Sequence, residues 1–133
     1  MMQSILIVDD QDETRKILSI ALRRPTHNVL EATNGIAALK AVKEHKPIVV
    51  LLDIMMPGSL NGFQVCEWIK ADVELKNTFV VLLSGLNGKK DFDEARRVGA
   101  NAYMVKPFRL SRLIEIIIGH AQLADTFVLE MTA

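Results

Sequence analysis

Three short runs constrain this chain more than any other feature: Ile5-Leu6-Ile7-Val8, Ile48-Val49-Val50-Leu51-Leu52 and Phe79-Val80-Val81-Leu82-Leu83. A strand with one face in water alternates apolar and polar residues, whereas these are apolar throughout and rich in β-branched side chains. They are therefore expected to be central parallel strands covered on both faces. Asn28 to Ala32 and Ala102 to Val105 are less continuous and read as peripheral strands. Helical spacing fills the intervals. Asp12 to Arg24 places Ile17, Leu18 and Ala21 together, Gly35 to Glu44 places Leu39 with Val42, and Phe63 to Ala71 places Cys66 with Ile69. Asp91 to Val98 joins Phe92 to Ala95, and Ser111 to Leu123 joins Leu113, Ile114, Ile117 and Ala121. Pro25, Pro47, Pro57, Gly62, Gly99 and Pro107 all fall in the connections, where a missing N–H or an unusual φ does least harm.

Five strand–helix pairs imply an α/β fold with a doubly wound, five-stranded parallel sheet and five helices, joined by right-handed crossovers. At 133 residues the chain suits one compact domain. We place that domain at residues 1–123, followed by a C-terminal tail at 124–133. The 16 basic and 16 acidic side chains cancel, so no global field draws the chain to nucleic acid or anionic lipid. The lone Cys66 excludes an intrachain disulfide and a multi-cysteine metal site. It suits a reducing compartment, with the cytoplasm as the default. No apolar run approaches the roughly 18 residues of a spanning helix, and Met1-Met2-Gln3-Ser4 has no basic-to-apolar leader pattern. No membrane association is expected.

In open parallel sheets ligands bind beyond the carboxyl ends of the strands. Those ends carry Asp9 and Asp10 after the first strand, Asp53 after the third, Ser84 after the fourth and Lys106 after the fifth. Taken singly, each has an ordinary role: Asp9, Asp10 or Asp12 can cap the first helix, Asp53 and Ser84 can form turns, and Lys106 can be a solvated lysine. Jointly they form a set, since five such residues at the ends of four strands share one chemical explanation. Three converging carboxylates repel unless a cation lies among them. Mg²⁺ (or Mn²⁺) prefers oxygen ligands and keeps waters that a phosphoryl oxygen can replace. A carboxylate can attack phosphorus to form an acyl phosphate, with positive charge and a hydroxyl stabilising the transferred group.

With these residues in view, the sequence resembles the receiver domain of two-component response regulators over Ile5 to Leu123. The resemblance is carried by Leu6-Ile-Val-Asp-Asp10, Leu52-Asp53-Ile-Met-Met-Pro57 with Gly62, Leu83-Ser84-Gly85, and Tyr103-Met-Val-Lys106-Pro107-Phe108. It implies a flavodoxin-like sheet of order 2-1-3-4-5, an arrangement for which a chemotaxis member of this family is a standard example. It further implies that Asp53 is the phosphoacceptor. Asp10, Asp53 and the Met55 main-chain carbonyl would hold the metal, with Asp9 acting through bound water. Lys106 would contact the phosphoryl group and precede a cis Pro107. Ser84 would be the switch hydroxyl and Tyr103 the aromatic that follows it inward. The implied partners are a histidine kinase or histidine phosphotransfer protein on the input side. On the output side they are another protein or a second copy, met by the face built from the fourth helix, fifth strand and fifth helix.

Several residues depart from the family pattern. Gly58-Ser59-Leu60-Asn61 makes the loop before Gly62 one residue longer than usual, so a displaced loop is expected. Gly85 stands where alanine is frequent, leaving room or mobility. Met55 and Leu86 stand where polar residues often influence water attack, which suggests slow loss of the phosphoryl group. Ile116 and Ile118 fall off the expected stripe of the last helix, to be covered either by Thr126-Phe127-Val128-Leu129 or by another molecule. Lys89, Lys90, Arg96, Arg97, Arg109 and Arg112 make the output face basic, as a solvated surface or a dock for an acidic partner. Cys66 and Trp68 have core spacing, and His27, His45 and His120 are scattered.

Overall fold

The computed structural model describes residues 3–131. Strands β1 (Gln3–Val8), β2 (His27–Ala32), β3 (Val49–Asp53), β4 (Phe79–Ser84) and β5 (Ala102–Val105) alternate with helices. These helices are α1 (Asp12–Leu22), α2 (Gly35–His45), α3 (Gly62–Ala71), α4 (Lys89–Arg97) and α5 (Leu110–Ile118). A short sixth strand, β6 (Val128–Glu130), follows. All neighbours pair in parallel in the order β2-β1-β3-β4-β5-β6. The expected order 2-1-3-4-5 is therefore present, with one more strand beyond β5.

Every residue of β3, β4 and β5 is buried. Their alternate side chains feed two apolar layers. Leu6, Val8, Val50, Leu52, Val80 and Leu82 face α2, α3 and α4, whereas Ile5, Ile7, Leu51, Val81 and Leu83 face α1 and α5. That two-sided burial is why the runs contain no polar alternation. The helices start where local chemistry satisfies their first N–H groups. Asn34 Oδ1 accepts from Ala37 N–H at 2.8 Å, and Asn61 and Gln64 form a reciprocal capping box at 3.0 and 2.9 Å.

Three expectations about faces are corrected. On α1 the buried residues are Leu18, Ser19 and Leu22, while Ile17 is 52% exposed. Adjacent stripes on that helix are both apolar, so spacing alone does not choose between them. On α5 the buried residues are Leu113, Ile116 and Ile117, so Ile116 belongs to the core and only Ile118 points outward. The helix stops at Ile118 because the chain then tightens into three-residue turns, including Thr126 N–H to Leu123 O at 3.0 Å, and Ala121 lies exposed in them. Trp68 is not a core residue: it is exposed beside Lys43, whose Nζ lies 4.6 Å from the ring centre. Cys66 is fully buried, and burial pushes its thiol up to about 12, which leaves it unreactive.

Candidate functional site

The acidic ends of β1 and β3 are adjacent because these strands pair from Ile5 with Val49 to Val8 with Leu52. Asp9, Asp10 and Asp53 each present a carboxylate oxygen, and all three oxygens lie within 4.8 Å of one another. Asp9 and Asp53 are buried and Asp10 is exposed, so the cluster opens to solvent on one side. Hard oxygen donors at this spacing fit a small divalent cation such as Mg²⁺. The β4–β5 pairing brings in the other two members. Lys106 Nζ lies 3.2 Å from Asp9 Oδ2 and 3.6 Å from Asp53 Oδ1, and Lys106-Pro107 is a cis peptide. Ser84 is buried, and its Oγ accepts a hydrogen bond from Leu86 N–H at 3.1 Å.

Burial pushes the Asp53 carboxyl up from the ordinary 3.8 to about 6. Lys106 opposes the shift, Asp9 adds to it, and the Met55 N–H bonded to the carboxylate opposes it more weakly. Without a cation, then, burial disfavours the charged form of Asp53. Tyr103 is fully buried, with its ring edge-on to Phe92 at 5.1 Å and its hydroxyl donating to Leu86 O at 2.6 Å. Leu86 thus joins Ser84 to Tyr103 through its two main-chain groups. Burial also raises the phenol of Tyr103, with the Ser84 hydroxyl beside it acting in the opposite sense.

Arg15 belongs to this site, and strand-end reasoning overlooked it. Its Nη1 donates to the Asp9 carbonyl at 2.8 Å, while its other nitrogens engage Asp12 and Glu31. Together with Gln11 N–H donating to Asp9 Oδ1 at 2.8 Å, it fixes the β1–α1 turn that aims Asp9. The only hint in the sequence was an arginine in the second turn of a helix that begins with acids.

The lengthened loop after β3 leans on α2. It takes a positive φ of 100° at Gly58 and seats Leu60 against Gly35, where an added Cβ would meet Leu60 Cβ at 2.7 Å. The groove between them, about 590 Å³, is lined by Ile36, Lys40, Pro57 and Leu60 among others, and the acidic cluster is not part of it. Gly85 meets open space, so alanine would fit there. Three of the six basic residues of that face are ion-paired within the chain: Lys89 with Asp93 at 2.7 Å, Arg97 with Glu94 and Glu67 at 2.7 and 2.8 Å, and Arg112 with Glu115 at 3.1 Å and with Glu130.

A sequence model of the response regulator receiver domain matches residues 5–118. The chain belongs to that family. The receiver-domain relatives include the polar-differentiation response regulator DivK of Brucella anthropi, 32% identical over 117 residues, covering 88% of this chain and 94% of the relative. Among solved structures, the signal receiver domain of a DNA-binding response regulator protein (merR) from Colwellia psychrerythraea superposes with a TM-score of 0.83 at 29% identity. That match covers 90% of this chain and 98% of the other. The chemotaxis protein CheY4 of Vibrio cholerae gives 0.81 at 26% identity, with 89% and 98% covered. As a receiver domain the chain acts in two-component signalling. No helix among the described residues is long and apolar enough to cross a membrane.

Proposed function

We propose that Asp53 is the phosphoacceptor of a Mg²⁺-assisted signalling switch, charged by a histidine kinase or a histidine phosphotransfer protein. The observation that carries this reading is one buried carboxylate flanked by two others within 4.8 Å and by the Lys106 ammonium at 3.6 Å. Asp9, Asp10, Asp53 and the Met55 main-chain carbonyl would hold the ion, which supplies positive charge to the phosphoryl oxygens when bound. An Asp53 oxygen attacks the phosphorus of a phosphohistidine, an O–P bond forms, and the P–N bond breaks with its electron pair leaving on the imidazole. Lys106 follows the transferred group with its charge, and Ser84 donates its hydroxyl to a phosphoryl oxygen. Doing so reorganises the Ser84–Leu86–Tyr103 linkage at the inner side of α4, β5 and α5, the face that would meet an output partner or second copy. The chain is not an enzyme for an external product: it catalyses only its own phosphorylation and dephosphorylation. Its place is the cytoplasm, which a single buried, free cysteine supports.

Incubation with acetyl phosphate and Mg²⁺ followed by intact mass tests the reading. A single stable phosphoryl adduct is expected, absent in Asp53→Asn and suppressed by EDTA. Rapid turnover of the donor without an adduct would instead mean a phosphohydrolase, and neither adduct nor turnover would mean an interaction domain without this chemistry.

The adduct should also be long-lived. Met55 is 65% exposed and Leu86 half-buried, and neither can orient an attacking water. Introducing Met55→Asn with Leu86→Glu is expected to speed decay of the acyl phosphate by ~10-fold, equivalent to about 1.4 kcal/mol of barrier. Unchanged decay would show that these positions do not govern the lifetime.

A further inference from the structure

Residues 127–130 lie on the face that a receiver of this kind would offer to its partners. β6 pairs in parallel with the outer edge of β5, setting Val128 opposite Ala102, Leu129 opposite Tyr103 and Glu130 opposite Met104. The site they occupy is chemically graded. Phe127 packs on the α4 side of the core under the Arg96 guanidinium, which stands 4.8 Å from the ring centre. Val128 enters the α5 side, Leu129 returns to the α4 side, and Glu130 forms an ion pair with Arg112. The segment is short and only half-buried. Its three strand residues remain half-buried beside a fully buried β5, and its approach is pinned by Val128 N–H to Asn101 O at 3.0 Å and Asn101 Nδ2 to Ala124 O at 3.2 Å. A three-residue edge strand that stays half exposed opens at lower free energy than the buried central strands.

We propose that the β5 edge between α4 and α5 is a strand-addition site for an extended segment of another protein, and that residues 127–130 are its resident competitor. The partner segment runs parallel to β5 and carries the pattern aromatic–aliphatic–aliphatic–acidic. Main-chain hydrogen bonds to β5 supply affinity, while the Arg96 and Arg112 positions select an aromatic ring and a carboxylate three residues apart. Partner binding must first displace β6, so the chain's own strand sets a threshold for output. This rests on the receiver reading only in taking the face as the output surface. The middle pair of the ladder is Tyr103 with Leu129, so the residue tied to Ser84 through Leu86 is also the one that β6 grips.

The test uses a fluorescent peptide with the sequence of residues 125–131 and the full chain, without Mg²⁺ or phosphodonor, so failure of Asp53 to be phosphorylated does not affect it. Phe127→Ser with Leu129→Ser loosens the resident strand, and circular dichroism and urea unfolding check that the variant is folded. The variant is expected to bind the peptide at least ~10-fold more tightly than the unaltered chain. A peptide with lysine in place of its glutamate should bind about fivefold more weakly and recover on Arg112→Glu. Equal binding to both proteins, or no binding to the folded variant, overturns the proposal. An unaltered chain that is a dimer by light scattering, and a monomer once the strand is loosened, overturns it in favour of strand exchange between two copies.

Discussion

Replacing Asp53 with asparagine is expected to stabilise the metal-free protein at neutral pH while removing the carboxylate that we propose takes the phosphoryl group. The Asp53 carboxyl titrates near 6 when folded against an ordinary 3.8 when unfolded, so the folded state holds this proton more tightly. As pH rises from about 4, the unfolded chain releases the proton first, and stability falls until the folded carboxyl has also ionised. The interval corresponds to about 3 kcal/mol of penalty that is complete above pH 6 and absent below pH 4. Asparagine has the shape of the neutral acid, its amide can donate toward Asp9, and it carries no charge to repel the neighbouring carboxylates. Urea unfolding in EDTA should place Asp53→Asn above the unaltered protein by about 2–3 kcal/mol at pH 7.5, with the gap closing by pH 4. Millimolar Mg²⁺ should narrow the gap at pH 7.5, because an ion that binds the folded cluster stabilises it by mass action. A variant no more stable than the parent in EDTA at pH 7.5 would mean that Lys106 and the Met55 N–H already compensate the burial of Asp53.

Acids at the carboxyl ends of parallel strands share one rim, and the order that sets β1 beside β3 is implied by the receiver-domain resemblance, so Asp9, Asp10 and Asp53 are legible in the sequence. Ser84 and Lys106 were legible for the same reason. Arg15 was not, because its part depends on a helix surface folding back over the Asp9 carbonyl, and an arginine in a second helical turn has many possible partners. β6 was hidden for a different reason. Phe127-Val128-Leu129 is too short to announce a strand, and its conformation comes from the β5 edge, a pairing between residues far apart in sequence. The same strand bears on α5: of the two residues expected off its core stripe, to be covered by the tail or by another molecule, Ile116 shares an apolar layer with Val128 of the tail and Ile118 stays exposed. On α1 two neighbouring apolar stripes compete, and only the placement of the sheet decides that Leu18 and Leu22 turn inward while Ile17 and Ile20 remain outside.

Gly62→Ala should be the most damaging single-methyl change near the site. Gly62 opens α3 directly against the end of β3, where a Cβ would lie 2.5 Å from the Asp53 carbonyl oxygen and 2.7 Å from Ile54 Cα. Both obstacles are main chain, so no side-chain rotation relieves the contact, and the helix or the strand end must move. Alanine gains up to about 1 kcal/mol in a helix relative to glycine. Forcing a close-packed backbone apart costs about 1–3 kcal/mol and sometimes more, and here the clash should dominate. The expected outcome is a net loss of about 2 kcal/mol in urea unfolding, together with slower labelling by acetyl phosphate, since the displaced atoms carry the Asp53 side chain. Gly85→Ala is the matched comparison. Its added methyl meets nothing within 4 Å, so it should stay within about 0.5 kcal/mol of the parent. If the two variants unfold alike, the close approach of α3 to β3 is softer than the geometry states, and the glycine is not what holds Asp53 in register with Asp9 and Lys106.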